Sequence, residues 1–116
     1  MTVSAPQAAA FFSEVLATGE VFTIKDADGF PAPRNGFGDR AMPFWSKRLR
    51  AQNVCASVPA YESFEVVLVP LSEWRVRWLP GLGRDGLRVG INWSGRRATG
   101  YDFTSAEVVA RLDTMA

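Results

Sequence analysis

Phe64-Glu65-Val66-Val67-Leu68-Val69-Pro70 runs directly into Leu71-Ser72-Glu73-Trp74: an apolar extended stretch closes on a proline and turns helical. A stretch that is apolar at all but one position predicts a strand covered on both faces, hence a central one. The same step recurs on either side. Met42-Pro43-Phe44-Trp45 leads into Ser46-Lys47-Arg48. Leu87-Arg88-Val89-Gly90-Ile91-Asn92-Trp93 leads, through a Gly/Arg loop, to Phe103-Thr104-Ser105-Ala106-Glu107. A repeated strand-then-helix step predicts a layered domain in which helices cover a sheet.

Working outward, Ser4-Ala5-Pro6-Gln7 reads as a capping box with proline in the first turn. Ala8, Phe11, Phe12 and Val15 follow at i, i+3, i+4, i+7, and Gly19 stops the helix. Glu20 to Lys25 reads as a strand, Asp26-Ala27-Asp28-Gly29 as a turn, and Phe30 to Pro33 as a short edge strand. Arg34 to Arg40 is the most loop-like segment. Ser46 is expected to cap a helix whose stripe is Ala51, Val54, Cys55 and Val58, ended by Pro59. Leu71, Trp74 and Trp78 line a further short helix, ended by Pro80-Gly81. On Leu87–Trp93, strict alternation puts Leu87, Val89, Ile91 and Trp93 on one face, and Arg88, Gly90 and Asn92 on a face open to solvent. Thr104 and Glu107 form a second capping box, with Phe103 and Val108 as its hydrophobic staple. The expected architecture is α+β with α/β-like layers in a single domain over residues 1–116. About five strands form a single mixed sheet packed with about four helices, in the order α-β-β-β-α-β-α-β-α. Crossovers among the last three strands would be right-handed if those strands are parallel.

Thirteen basic and twelve acidic residues leave a formal net charge of +1. So balanced a chain has no global field to attract nucleic acid or an anionic membrane, and neither is expected as a partner. Eleven of the basic residues are Arg, which reads as a coding bias in a chain without a basic patch. A chain of this length buries roughly two-thirds of the surface its unfolded form exposes, enough to fold without metal or disulfide. Cys55 is the only cysteine, so no internal disulfide forms. The Met1 start carries no basic segment followed by a long apolar one, and no apolar run reaches the ~20 residues that span a bilayer. A cytoplasmic location is expected.

Histidine is absent. This removes Ser-His-Asp and Cys-His catalysis, His-ligated zinc and the usual general base. No phosphate-binding Gly fingerprint is present, and Asn35-Gly36-Phe37-Gly38 precedes a strand rather than opening a helix. Asp26 and Asp28 lack the other ligands of a calcium loop. No metal, cofactor or catalytic residue is therefore assigned. Cys55, on an apolar helix stripe, is expected to be buried and unreactive. Lys47, Arg48 and Arg50 stand where cations oppose the helix dipole, which hints at an anionic partner. Ligands of open α/β sheets gather at the carboxyl ends of strands. If the strands are parallel, Trp45, Arg48, Asn92, Trp93 and Arg97 lie along one such rim, and they form the candidate binding site.

Several segments, in order, resemble a family of small bacterial proteins known only as domain of unknown function 2750. They are Phe12-Ser13-Glu14-Val15 through Gly19-Glu20-Val21-Phe22, Asp26-Ala27-Asp28-Gly29-Phe30, and Pro43-Phe44-Trp45-Ser46. Leu71-Ser72-Glu73-Trp74, Trp78-Leu79-Pro80-Gly81-Leu82, and Asp85-Gly86-Leu87 through Val89-Gly90-Ile91-Asn92-Trp93 complete the set. The resemblance spans most of the chain and implies no activity, so no catalytic residue carries over. In the family the helix at Leu71 is often more acidic, and Arg75 and Arg77 depart from that. More distantly, the strand-to-Trp-Ser-to-helix step is similar to SseB-like N-terminal domains.

Three functions are weighed. The first is a non-catalytic module that binds another protein, since Trp and Arg near strand ends are types enriched at binding hot spots. The second is a sensor of a small ligand or nucleotide, using the Trp45/Trp93 rim. The third, ranked last, is an enzyme built only on carboxylates and Arg. A pocket holding Trp and Arg would favour the second, and paired carboxylates in it the third.

Overall fold

The computed structural model describes residues 5–95 and 98–115. Helix α1 spans Ala5–Thr18, β1 Glu20–Lys25, β2 Ala41–Phe44, α2 Arg48–Ser57 and β3 Glu65–Pro70. A helical segment follows, made of α3 (Leu71–Glu73), a π-helical turn (Trp74–Trp78) and α4 (Leu79–Arg84). Then come β4 (Arg88–Ser94), β5 (Thr99–Phe103) and α5 (Ser105–Met115). The fold is α+β. Ser4, and with it the capping box expected there, lies outside the described residues.

The strands form two sheets rather than one: β1-β3, antiparallel, and β2-β4-β5, with β2 and β4 parallel and β4 and β5 antiparallel. Among the described residues a single antiparallel bridge joins them, Phe22 N to Trp45 O at 2.8 Å and Trp45 N to Phe22 O at 2.7 Å. The next hydrogen-bonded rung would pair Ile24 with Pro43, and Pro43 has no N–H to give. The Thr23 hydroxyl donates to the Pro43 carbonyl instead, at 2.9 Å. One proline thus splits what the sequence predicts as one sheet.

Helices cover both faces. Phe11, Phe12 and Val15 of α1, Val108 and Leu112 of α5, and Trp74, Leu79 and Leu82 pack on Val21, Phe44, Val69, Val89, Ile91 and Phe103. On the other face, Ala51 and Val54 of α2 pack with Phe22, Ile24, Trp45 and Trp93. Phe11, Phe44 and Trp74 meet edge-on, with ring centroids 5.3–5.7 Å apart.

Four expectations are corrected. Among the described residues, the strand after Phe64, β3, is an edge strand paired only with β1, and it is buried only at Val69. The centre is β4, buried from Val89 to Trp93. Phe30–Pro33 is not a strand, because Pro31 and Pro33 cannot donate to a ladder. In its place stands β5, within the stretch read as a loop. Pro80 does not end its helix, which continues to Arg84. The turn ahead of Pro80 is π-helical, and this wider turn clears the proline ring from the preceding carbonyl. The second capping box forms as expected: Thr104 N donates to Glu107 Oε1 at 2.7 Å, and Glu107 N to Thr104 Oγ1 at 3.1 Å.

Candidate functional site

Because β2 and β4 are parallel neighbours, their carboxyl ends meet, and Trp45, Asn92 and Trp93 come together there. Trp45 Nε1 donates to the Trp93 carbonyl at 2.8 Å. Ser46 N donates to Asn92 Oδ1 at 3.0 Å, and Asn92 Nδ2 donates to Ser46 Oγ at 3.2 Å. The one Ser46 hydroxyl proton goes to Glu14 Oε1, at 2.6 Å. Trp45, Asn92 and Trp93 are 0 %, 2 % and 5 % exposed, so the junction is interior. Arg48 is exposed and separate, its guanidinium 5.0 Å above the Phe22 ring. Arg97 lies outside the described residues.

Ser46 does not cap α2. The N-cap is Lys47, without a side-chain cap, because the Ser46 hydroxyl is engaged by Glu14. The Glu14 carboxylate also lies 3.7 Å from Lys47 Nζ and 3.5 Å from Arg50 Nη2. The anion that the helix terminus favours comes from α1, and two of the misplaced cations answer to it. Cys55 is half-buried rather than buried, and desolvation raises its pKa.

A concavity of about 850 Å³ lies elsewhere, between residues 34–40 and β5. The 34–40 turn is built around one side chain. Asn35 Oδ1 accepts from Phe37 N at 2.9 Å and Asp39 N at 3.1 Å. Asn35 Nδ2 donates to Asp102 Oδ2 at 3.0 Å. Arg34 Nη1 donates to the Gly38 carbonyl at 2.7 Å, and Arg88 Nε to Asp39 Oδ2 at 3.1 Å. At the tip, Phe37 is 93 % exposed. The floor is Trp93, whose Nε1 donates to Asp102 Oδ1 at 2.9 Å. Tyr61 lines one side, its hydroxyl pKa raised by burial. Tyr101 lines another, stacked on Phe103 at 5.0 Å.

Among the described residues of the candidate rim, Trp93 alone reaches this groove. Asn35, Tyr101 and Asp102 were missed. A signal for the last two existed: Thr99, Tyr101 and Phe103 alternate with Gly100 and Asp102, which is a strand period. The turn that Asn35 holds is local, and the Asn35-Gly36 pair signals it; its bond to Asp102, sixty-seven positions away, left no local trace.

Among the described residues no group of three or more His, Cys, Asp or Glu is placed to hold a metal ion. No helix among them is long and apolar enough to cross a membrane. Ser46 contacts a carboxylate but is 2 % exposed. The arrangement presents aromatic faces, two Arg and two carboxylates around an open groove, which suits binding.

The family model described as "Protein of unknown function (DUF2750)" matches residues 8–112, and the chain belongs to that family. The match does not extend to SseB-like domains. No curated protein matches the chain. Among solved structures, "Anabaena Tic22 (protein transport)" is similar with a TM-score of 0.40 and 18% identity. The alignment covers 69% of this chain and 43% of that one, and carries no argument about either fold or function.

Proposed function

We propose that this member of the DUF2750 family is a non-catalytic module of the bacterial cytoplasm that binds another protein through the Phe37 turn and the adjoining groove. One observation carries the reading: a phenyl ring stands 93 % exposed on a turn whose backbone is fastened by Asn35. Isolated exposed apolar residues are ordinary on surfaces. A rigidly presented aromatic ring differs, because it loses little freedom on binding and fills a partner's pocket. The net charge of +1 supports a protein partner over nucleic acid or membrane.

A second reading, a small-ligand or nucleotide sensor, is favoured by the groove itself. Its volume of about 850 Å³ falls in the range of small-molecule sites, and Trp93, Arg34 and Arg88 line it.

The test is capture from native lysate by wild type and Phe37→Ala. The substitution leaves melting unchanged and weakens capture of a specific protein by about tenfold or more. Capture that survives Phe37→Ala and Tyr101→Ala together overturns the reading. Stabilisation of the chain by a metabolite fraction, with no captured protein, supports the sensor.

A further inference from the structure

Given that the chain binds a protein, on which this step rests, we infer that the partner supplies an extended segment. It pairs with the outer edge of β5 and sets a basic side chain against Asp102.

β5 ends its sheet, in the order β2-β4-β5. Among the described residues, no backbone hydrogen bond reaches the side of β5 away from β4. The groove touches Ala98, Thr99, Gly100, Tyr101 and Asp102 in succession. Side chains of a strand alternate between faces, so a groove meeting consecutive residues follows the strand's edge rather than one face. The site therefore has two features of strand addition: main-chain groups along an edge that no described backbone pairs, and a groove running beside them.

The charge pattern selects the occupant. Asp39, one of the two carboxylates in the groove, is paired with Arg88. Asp102 is held by two neutral donors, Trp93 Nε1 and Asn35 Nδ2, one to each oxygen. Among the described residues no cation lies within ion-pair distance of it. Each oxygen keeps acceptor capacity, so a fixed negative charge with unused lone pairs faces the groove. A charge on an edge strand opposes indiscriminate pairing, and here it admits a segment bearing Lys or Arg. Arg34, a groove cation without a carboxylate partner among the described residues, disfavours a second basic residue at the turn end.

The probe is a phage-displayed library of random heptapeptides selected on the folded chain. Recovered peptides carry one Lys or Arg at a constant position among strand-forming residues. Two measurements follow on the best synthetic peptide. Replacing its basic residue with Gln weakens binding by about tenfold or more, and Asp102→Asn removes most of that difference. Amide exchange slows at alternate residues between Thr99 and Phe103 when the peptide is bound. The peptide substitution keeps the test valid even if Asp102→Asn perturbs Trp93. A peptide that binds without slowing exchange in β5, or without dependence on its basic residue, overturns the inference. If that binding still requires Phe37, the broader reading stands. Recovery of no peptide overturns it too. So does a free chain that dimerises with β5 amides already protected, because a second copy then holds the edge.

Discussion

The indole of Trp93 lies against Gly90: a Cβ built on that glycine would stand 2.4 Å from Cε2 and 2.5 Å from Cζ2 and Nε1. Strict alternation along β4 places Trp93 with Val89 and Ile91, on the face opposite Gly90. Asn92, at φ +46°, breaks the alternation within a bulge between Ile91 and Ser94. The ring thus joins Trp45 and Ile24 in the layer covered by α2.

Gly90→Ala is expected to lower stability by about 1–3 kcal/mol, the usual cost of overpacking, measured by urea unfolding. Gly100→Ala acts similarly, since its Cβ meets Trp93 Cδ1 at 2.8 Å and the Ile91 carbonyl at 2.9 Å. Gly36→Ala is the control: nothing lies within 4 Å of its Cβ, and its stability stays within about 0.5 kcal/mol of wild type.

Asn92 combines a left-handed backbone with a buried side chain bonded to Ser46. Asn92→Gly relieves the backbone and loses the bonds, for a cost of about 1–3 kcal/mol. Asn92→Ala loses the same bonds and adds about 1 kcal/mol of left-handed strain. Equal denaturation midpoints for the two variants would show that the bulge does not depend on that conformation.

The backbone N–H of Thr104, then its hydroxyl, holds the Glu107 carboxyl below its ordinary value of 4.5. A depressed folded pKa stabilises at pH above the unfolded value, and the contribution is lost as the pH falls through the folded one. The stability gap between wild type and Glu107→Gln is therefore present at neutral pH and closes below the ordinary carboxylate range. Denaturation at a series of pH values checks this, and a gap that widens in acid would contradict it.

Cys55 is half-buried, with a thiol pKa raised by desolvation. A thiol reagent at neutral pH labels the native chain more slowly than the chain in urea, because thiolate is scarcer and access is reduced. Equal rates would remove the basis for treating this thiol as shielded.

Arg48→Ala removes a cation held 5.0 Å above the Phe22 ring, for about 0.5–1 kcal/mol of stability. Arg48 does not line the Phe37 groove, so capture of a partner there is unchanged. Loss of capture with unchanged melting would move the site to the α2 face.

Local chemistry determined much of this protein. The stripe of Ala8, Phe11, Phe12 and Val15 makes α1, Gly19 ends it at φ +73°, and Thr104 and Glu107 open α5. These features act within about four residues, through side-chain spacing and terminal N–H groups, so the sequence displays them directly. The meeting of Trp45 with Asn92 and Trp93 was legible too, as the expectation for parallel strand ends. Tertiary structure alone decided the rest. An apolar run like β3 can lie at an edge and a mixed run like β4 at the centre, because burial depends on which strands pair. Pro43 splits the sheet only because the rung it would share is Ile24's. Asn92 reverses the face of Trp93, and Asn35 reaches Asp102 to build the groove. Each of these outcomes belongs to a pairing between segments distant in the chain, and spacing within one segment does not encode its partner.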